Sequence, residues 1–143
     1  MFDYNHLALL GACYPIKFVL NNANAIVTKS DEKFEYVRYN PRKNVDRWGL
    51  SLTSLDGGMS GIPDLDSLRE YNIENDTSHD EIDFNIPTPA YNDFKEVLDP
   101  FAPWLFRTHI LKLNSGGYFP PHRDLNGLKS FRLIVPLKNC KAP

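Results

Sequence analysis

His122 and Asp124 stand two positions apart in YFPPHRDLNGLKSFRLIVPL, residues 118–137, in a chain with four histidines in all. Side chains at i and i+2 of an extended backbone point the same way. The pair can therefore offer an imidazole nitrogen and a carboxylate oxygen to one cation. One neutral nitrogen donor and one hard oxygen donor suit Fe(II), which keeps its remaining positions for a further protein donor, water or substrate. The plain alternative is a solvated turn, since Pro120-Pro121 precede the pair and Asn126-Gly127 follow it.

His122-Arg123-Asp124-Leu125 also spells the opening of a protein-kinase catalytic loop. The eighth position of that motif needs a metal-binding Asn, and Lys129 stands there. No glycine-rich phosphate loop precedes the motif, and the Asp83-Phe84 dipeptide lies upstream where a kinase needs its DFG downstream. The kinase reading is excluded.

The elements around the pair set its context. FRTHILKLNS, residues 106–115, reads as a strand, with Ile110, Lys112 and Asn114 on one face and His109, Leu111 and Leu113 on the other. Gly116-Gly117 permits a tight turn or bulge. KSFRLIVPLKN, residues 129–139, reads as a second strand, with Ser130, Arg132 and Ile134 sharing one face. Arg132 is either a carboxylate grip, through its planar fork of donors, or a surface residue in a local salt bridge.

Strand ending in Gly-Gly, PPHxD turn, and arginine in an apolar strand about ten residues later: this run resembles the Fe(II)/2-oxoglutarate-dependent oxygenases, in particular the aspartyl/asparaginyl β-hydroxylase group with its free-proline hydroxylases. The resemblance covers residues 107–139. It implies a double-stranded β-helix, a jelly-roll barrel, with iron held by His122 and Asp124. Arg132 would pair with a carboxylate of 2-oxoglutarate or of the substrate. The implied reaction hydroxylates an amino-acid or aspartyl, asparaginyl or prolyl type of substrate. Trp48, Trp104 and Tyr118 are candidates for pocket walls, and equally for core or interface.

The family's second iron-binding His and its downstream Arg have no counterpart here, because no His follows His122. His6, His79 and His109 all lie upstream, and His109 is expected to be a buried or hydrogen-bonded residue rather than a ligand. The chain thus reads as the N-terminal portion of a longer enzyme, weakly active or inactive by itself. An unfinished barrel leaves an open sheet edge, and a second copy of the chain is expected to cover it. Two other readings stand beside this one: a non-catalytic jelly-roll or cupin-like binding or assembly module, and a cupin metalloenzyme that does not use 2-oxoglutarate.

The rest of the sequence sets the frame. With 143 residues the chain suits one domain. Residues 1–105 form a mixed α/β part, and residues 106–143 hold the first strands of the oxygenase core. Apolar residues make up 42% and charged residues 24%, which describes a soluble globular chain. A net charge of -2 gives no basic surplus for nucleic acid or an anionic membrane. Cys13 and Cys140 make neither a disulfide framework nor a CxxC metal pair, so a reducing cytoplasm is expected. LALLGAC, residues 7–13, is too short and lacks the basic flank of a secretion signal.

Upstream, YPIKFVL at 14–20 reads as a strand and NNAN at 21–24 as a turn. Residues 26–40 fit neither period. WGLSLTSL shows strand alternation, Asp56-Gly57-Gly58 and Gly61-Ile62-Pro63 mark a loop, and residues 64–72 read as a helix capped by Asp64. Residues 74–83 form an exposed acidic loop. A helix capped by Thr88, with Pro89 in its first turn, is expected to run until Asp99-Pro100 stops it. The class is α+β, with flanking helices early and the β-rich unit late.

Overall fold

The computed structural model describes residues 23–40, 46–118 and 134–138. Contacts divide the chain into two compact units, residues 1–33 with 120–143, and residues 34–119. The strand expected at 14–20, the first half of the turn expected at 21–24 and the segment 7–13 lie outside the described residues; Ala23 and Asn24 open a helix rather than completing that turn.

In the first unit, helix α1 spans Ala23–Lys33. Among residues 25–33 of this helix Ile26 and Ser30, four apart, are the buried positions, so the ambiguous stretch takes the helical period as far as Lys33. Ser30 Oγ donates back to the Val27 carbonyl at 3.0 Å, keeping its polar group satisfied inside the helix. Lys33 in the last turn faces the negative end of the helix dipole. The described tail, residues 134–138, carries no strand. This corrects the strand expected to run through to Asn139. Pro136 has no N–H to give a sheet ladder, and Ile134 is 78% exposed.

The second unit is built on a small antiparallel sheet in the order β1-β2-β5, from Val37–Arg38, Arg47–Ser51 and His109–Leu113. Arg47 pairs with Leu113, Gly49 with Leu111 and Ser51 with His109. A second, two-stranded sheet joins β3 (Thr53–Ser54) to β4 (Ile86–Pro87). The chain crosses between the sheets at Leu52. There the amides of Leu52 and Thr53 both donate to the Thr108 carbonyl, at 2.8 and 3.1 Å, the two-against-one pattern of a bulge. The expected alternation in WGLSLTSL is hidden by this kink and by cover on both faces. Leu50, Ser51, Leu52, Thr53 and Ser54 are all buried.

Helix α2 runs Leu68–Asn75 and is capped by Ser67, whose side chain accepts from the Glu70 amide. The expected cap, Asp64, is not the cap: it lies buried in the turn before the helix. The stretch after Thr88 is not one helix. It breaks into α3 (Pro89–Asp93), α4 (Lys95–Leu98) and a 3₁₀ turn over Asp99–Trp104. Phe94 sits between α3 and α4 with φ -114° and ψ 12°, a non-helical backbone, and its ring is buried 6.2 Å from that of Phe34. Burial of that ring outweighs helical continuity. Pro100 and Pro103, lacking amide donors, then fit the tighter turn.

The architecture is α+β, mixing short helices with small antiparallel sheets. All helices among the described residues lie before residue 105, in the part where they were expected, with β1 to β4 interleaved among them. No helix among the described residues is long and apolar enough to cross a membrane.

Candidate functional site

His122, Asp124 and Arg132 lie outside the described residues. What the structure describes is the segment that precedes them in sequence. Strand β5 ends at Leu113, and the chain turns at Gly116, whose φ of +80° suits a residue without a Cβ. The Gly117 amide donates to the Asn114 carbonyl at 2.8 Å and closes the turn. Gly117 itself is tightly set, since a Cβ there would lie 2.5 Å from the Asp46 carbonyl oxygen. Asp46 anchors the turn from the other side. Its Oδ1 accepts from Asn114 Nδ2 at 3.1 Å and from Trp48 Nε1 at 2.7 Å. The strand and glycine turn expected before the HxD pair are therefore present as far as Tyr118.

Directly paired residues of an antiparallel ladder share a face. Arg47, Gly49 and Ser51 thus lie on the same face as Leu113, Leu111 and His109. Arg47 is 4% exposed, and its guanidinium stacks 4.0 Å from the centre of the Tyr39 ring. Burial pulls its pKa below the ordinary value, opposed by the nearby Tyr39. The His109 ring lies 5.4 Å from the Tyr39 ring, and the residue is half-buried, as expected of a packed histidine. Leu65 covers the middle of this face. A Cβ at Gly49 would meet Leu65 Cδ2 at 2.8 Å, so glycine is what lets the turn at residues 61–66 approach. Trp48 is half-buried, while Trp104 and Tyr118 are exposed.

Among the described residues the densest polar cluster surrounds Arg107, which the sequence did not single out. Its backbone takes φ +35°, and its amide donates to the Phe84 carbonyl at 2.9 Å. Its guanidinium donates to the carbonyls of Pro63, Asp64 and Asp66 and to Glu81 Oε1, the last at 2.7 Å. One fork therefore fastens the turn at 61–66 and the 3₁₀ turn Glu81–Asp83 to the entrance of β5. Asp64 is 2% exposed, and its Oδ2 has no hydrogen-bond partner. Burial pushes its carboxyl up to about 6; its own backbone amide and Arg107 pull it down, and Asp56 pushes it further up.

Thr88 was expected as a side-chain cap and does other work. Its hydroxyl donates to the Ser51 carbonyl at 2.8 Å, with the Leu52 carbonyl at 3.3 Å, and so satisfies the backbone at the bulge. Among the described residues no three His, Cys, Asp or Glu side chains come together as a metal site. No family model, curated protein or solved structure matches the chain.

Proposed function

We propose that the chain carries part of the core of an iron- and 2-oxoglutarate-dependent hydroxylase, acting on an amino-acid or an aspartyl, asparaginyl or prolyl type of substrate. The observation that carries this reading is the order strand, glycine turn, HxD. Strand β5 and the left-handed Gly116 turn lead into residues 120–124, PPHRD. The donor set fits a hard, partly open cation: His122 supplies a nitrogen and Asp124 an oxygen. Arg132 is the residue for a carboxylate, because guanidinium and carboxylate match in two parallel hydrogen bonds. Bound iron would supply the oxidising chemistry with O2 as the oxidant, one oxygen atom going to the succinate left by decarboxylation of 2-oxoglutarate and the other to a C–H bond of the substrate. The protein's own part is to hold the ion, grip the carboxylates and orient the substrate.

Two protein donors hold a cation less firmly than three. Anaerobic equilibrium dialysis with Fe(II) should therefore show one weak site, tightened by 2-oxoglutarate. His122→Ala and Asp124→Ala should each abolish it, and Arg132→Ala should remove only the effect of 2-oxoglutarate. Binding that survives both ligand substitutions would sink the metal assignment. Tight iron binding with no response to 2-oxoglutarate would favour a cupin metalloenzyme without that cosubstrate, and no binding at all would favour a binding or assembly module.

A further inference from the structure

We propose that Asp64 is a proton-operated latch on the turn at residues 61–66: with its carboxyl protonated the turn closes over the sheet, and ionisation loosens it.

The geometry comes first. The turn is held by its own amides, Leu65 to the Gly61 carbonyl at 2.8 Å and Asp66 to the Pro63 carbonyl at 3.0 Å. It is tied to the sheet by the Asn40 amide, which donates to the Leu65 carbonyl at 2.7 Å, and by the Leu65 side chain packed on Gly49. Asp64 sits in the middle of this turn with its Oδ2 sealed from solvent and bonded to nothing. A neutral carboxyl tolerates that place far better than a carboxylate, whose desolvation needs compensating hydrogen bonds.

The charged neighbours do not supply them. Arg107, at the entrance of β5, is the near cation, but its hydrogen bonds go to three carbonyls and to Glu81 Oε1. Asp56, in the loop after β3, acts on Asp64 as a like charge. Asp66, in the same turn, points one oxygen at the Ser67 amide. The burial that lifts the Asp64 carboxyl to about 6 places the transition within reach of ordinary pH changes. Loosening would lift Leu65 from the face that holds Arg47 and Ser51. None of these residues belongs to the proposed iron site, so the latch stands or falls separately.

The test is amide hydrogen exchange at Leu65 and Asp66, corrected for intrinsic rates, with a carbon-detected titration of the Asp64 carboxyl. If turn opening is linked to an ionisation raised from 3.8 to about 6, protection should fall on the order of tenfold between pH 5 and pH 7. Asp64→Asn should give protection that does not change over that range. An Asp64 carboxyl that titrates near 4, or wild-type protection equal at both pH values, would overturn the latch. The wild-type measurements decide it even if the variant fails to fold.

Discussion

Replacing Arg107 with lysine keeps the charge and removes the fork. The guanidinium, 11% exposed, serves three carbonyls and one carboxylate oxygen from a fixed plane. An ammonium group can follow only part of that set. Leaving two buried carbonyls unserved costs about 1–3 kcal/mol each. The Glu81 pair adds less, because Glu81 is 24% exposed and solvent screens it. Arg107→Lys should therefore cost about 3 kcal/mol, a large share of the roughly 5–15 kcal/mol that holds a domain. Glu81→Gln should cost under about 1 kcal/mol. The backbone gives an internal control. Arginine at φ +35° carries a left-handed penalty that glycine avoids. Arg107→Gly should accordingly be about 1 kcal/mol less damaging than Arg107→Ala. Urea denaturation followed by fluorescence of Trp48 and Trp104 measures all four variants. A lysine variant within about 0.5 kcal/mol of wild type, or an alanine variant more stable than glycine, would refute the reasoning.

Further outcomes follow from the same contacts. The stability that Asp64 contributes is fully present below its ordinary value of 3.8 and is lost as pH rises through about 6, by about 3 kcal/mol in full; denaturation midpoints from pH 4 to pH 7 should show this loss, and Asp64→Asn should flatten it. Thr88→Val removes the hydroxyl donor to the Ser51 carbonyl, while the residue 88 amide still serves the Leu52 carbonyl, and should cost about 1–3 kcal/mol by urea denaturation. Burial, with Asp99 accepting from its hydroxyl, pushes the Tyr91 phenol up to about 12; ultraviolet titration should therefore find one tyrosine ionising late, and Tyr91→Phe should remove that step. Strand β5 is an edge among the described residues, with Leu111 and Leu113 exposed at 41% and 42%. If a second copy covers it, sedimentation should find a dimer that Leu111→Lys weakens, and a monomer at all concentrations would count against self-association.

The parts of the fold legible in the sequence are those set by local chemistry. Alternation marked β5, paired glycines marked its turn, and Asp-Gly-Gly marked the loop after β3. The illegible parts were decided by distant partners. Asp64 has the side chain of a helix cap, yet the fold buries it and gives the cap to Ser67. Thr88 stands at a cap position, but the bulge at Leu52 claims its hydroxyl. A helix from Thr88 to Asp99 satisfies every local signal except the pull on Phe94, whose ring packs near Phe34. Arg107 drew notice only as the first residue of the oxygenase-like run, because no spacing rule shows an arginine fastening turns from residues 63–66 and 81. For the candidate site the strand and turn were readable, whereas His122, Asp124 and Arg132 rest on motif order and donor chemistry.

Manganese(II) stands in for iron(II) at nitrogen and oxygen donors, and its unpaired electrons broaden nearby nuclear resonances. A titration of isotope-labelled protein with manganese therefore reads the metal's position directly. If these donors hold the ion, the first signals to vanish are those of His122, Asp124 and their neighbours, and 2-oxoglutarate makes that loss set in at lower manganese concentration. Broadening centred on the acidic stretch 74–83, with residues 120–126 untouched, would contradict the account.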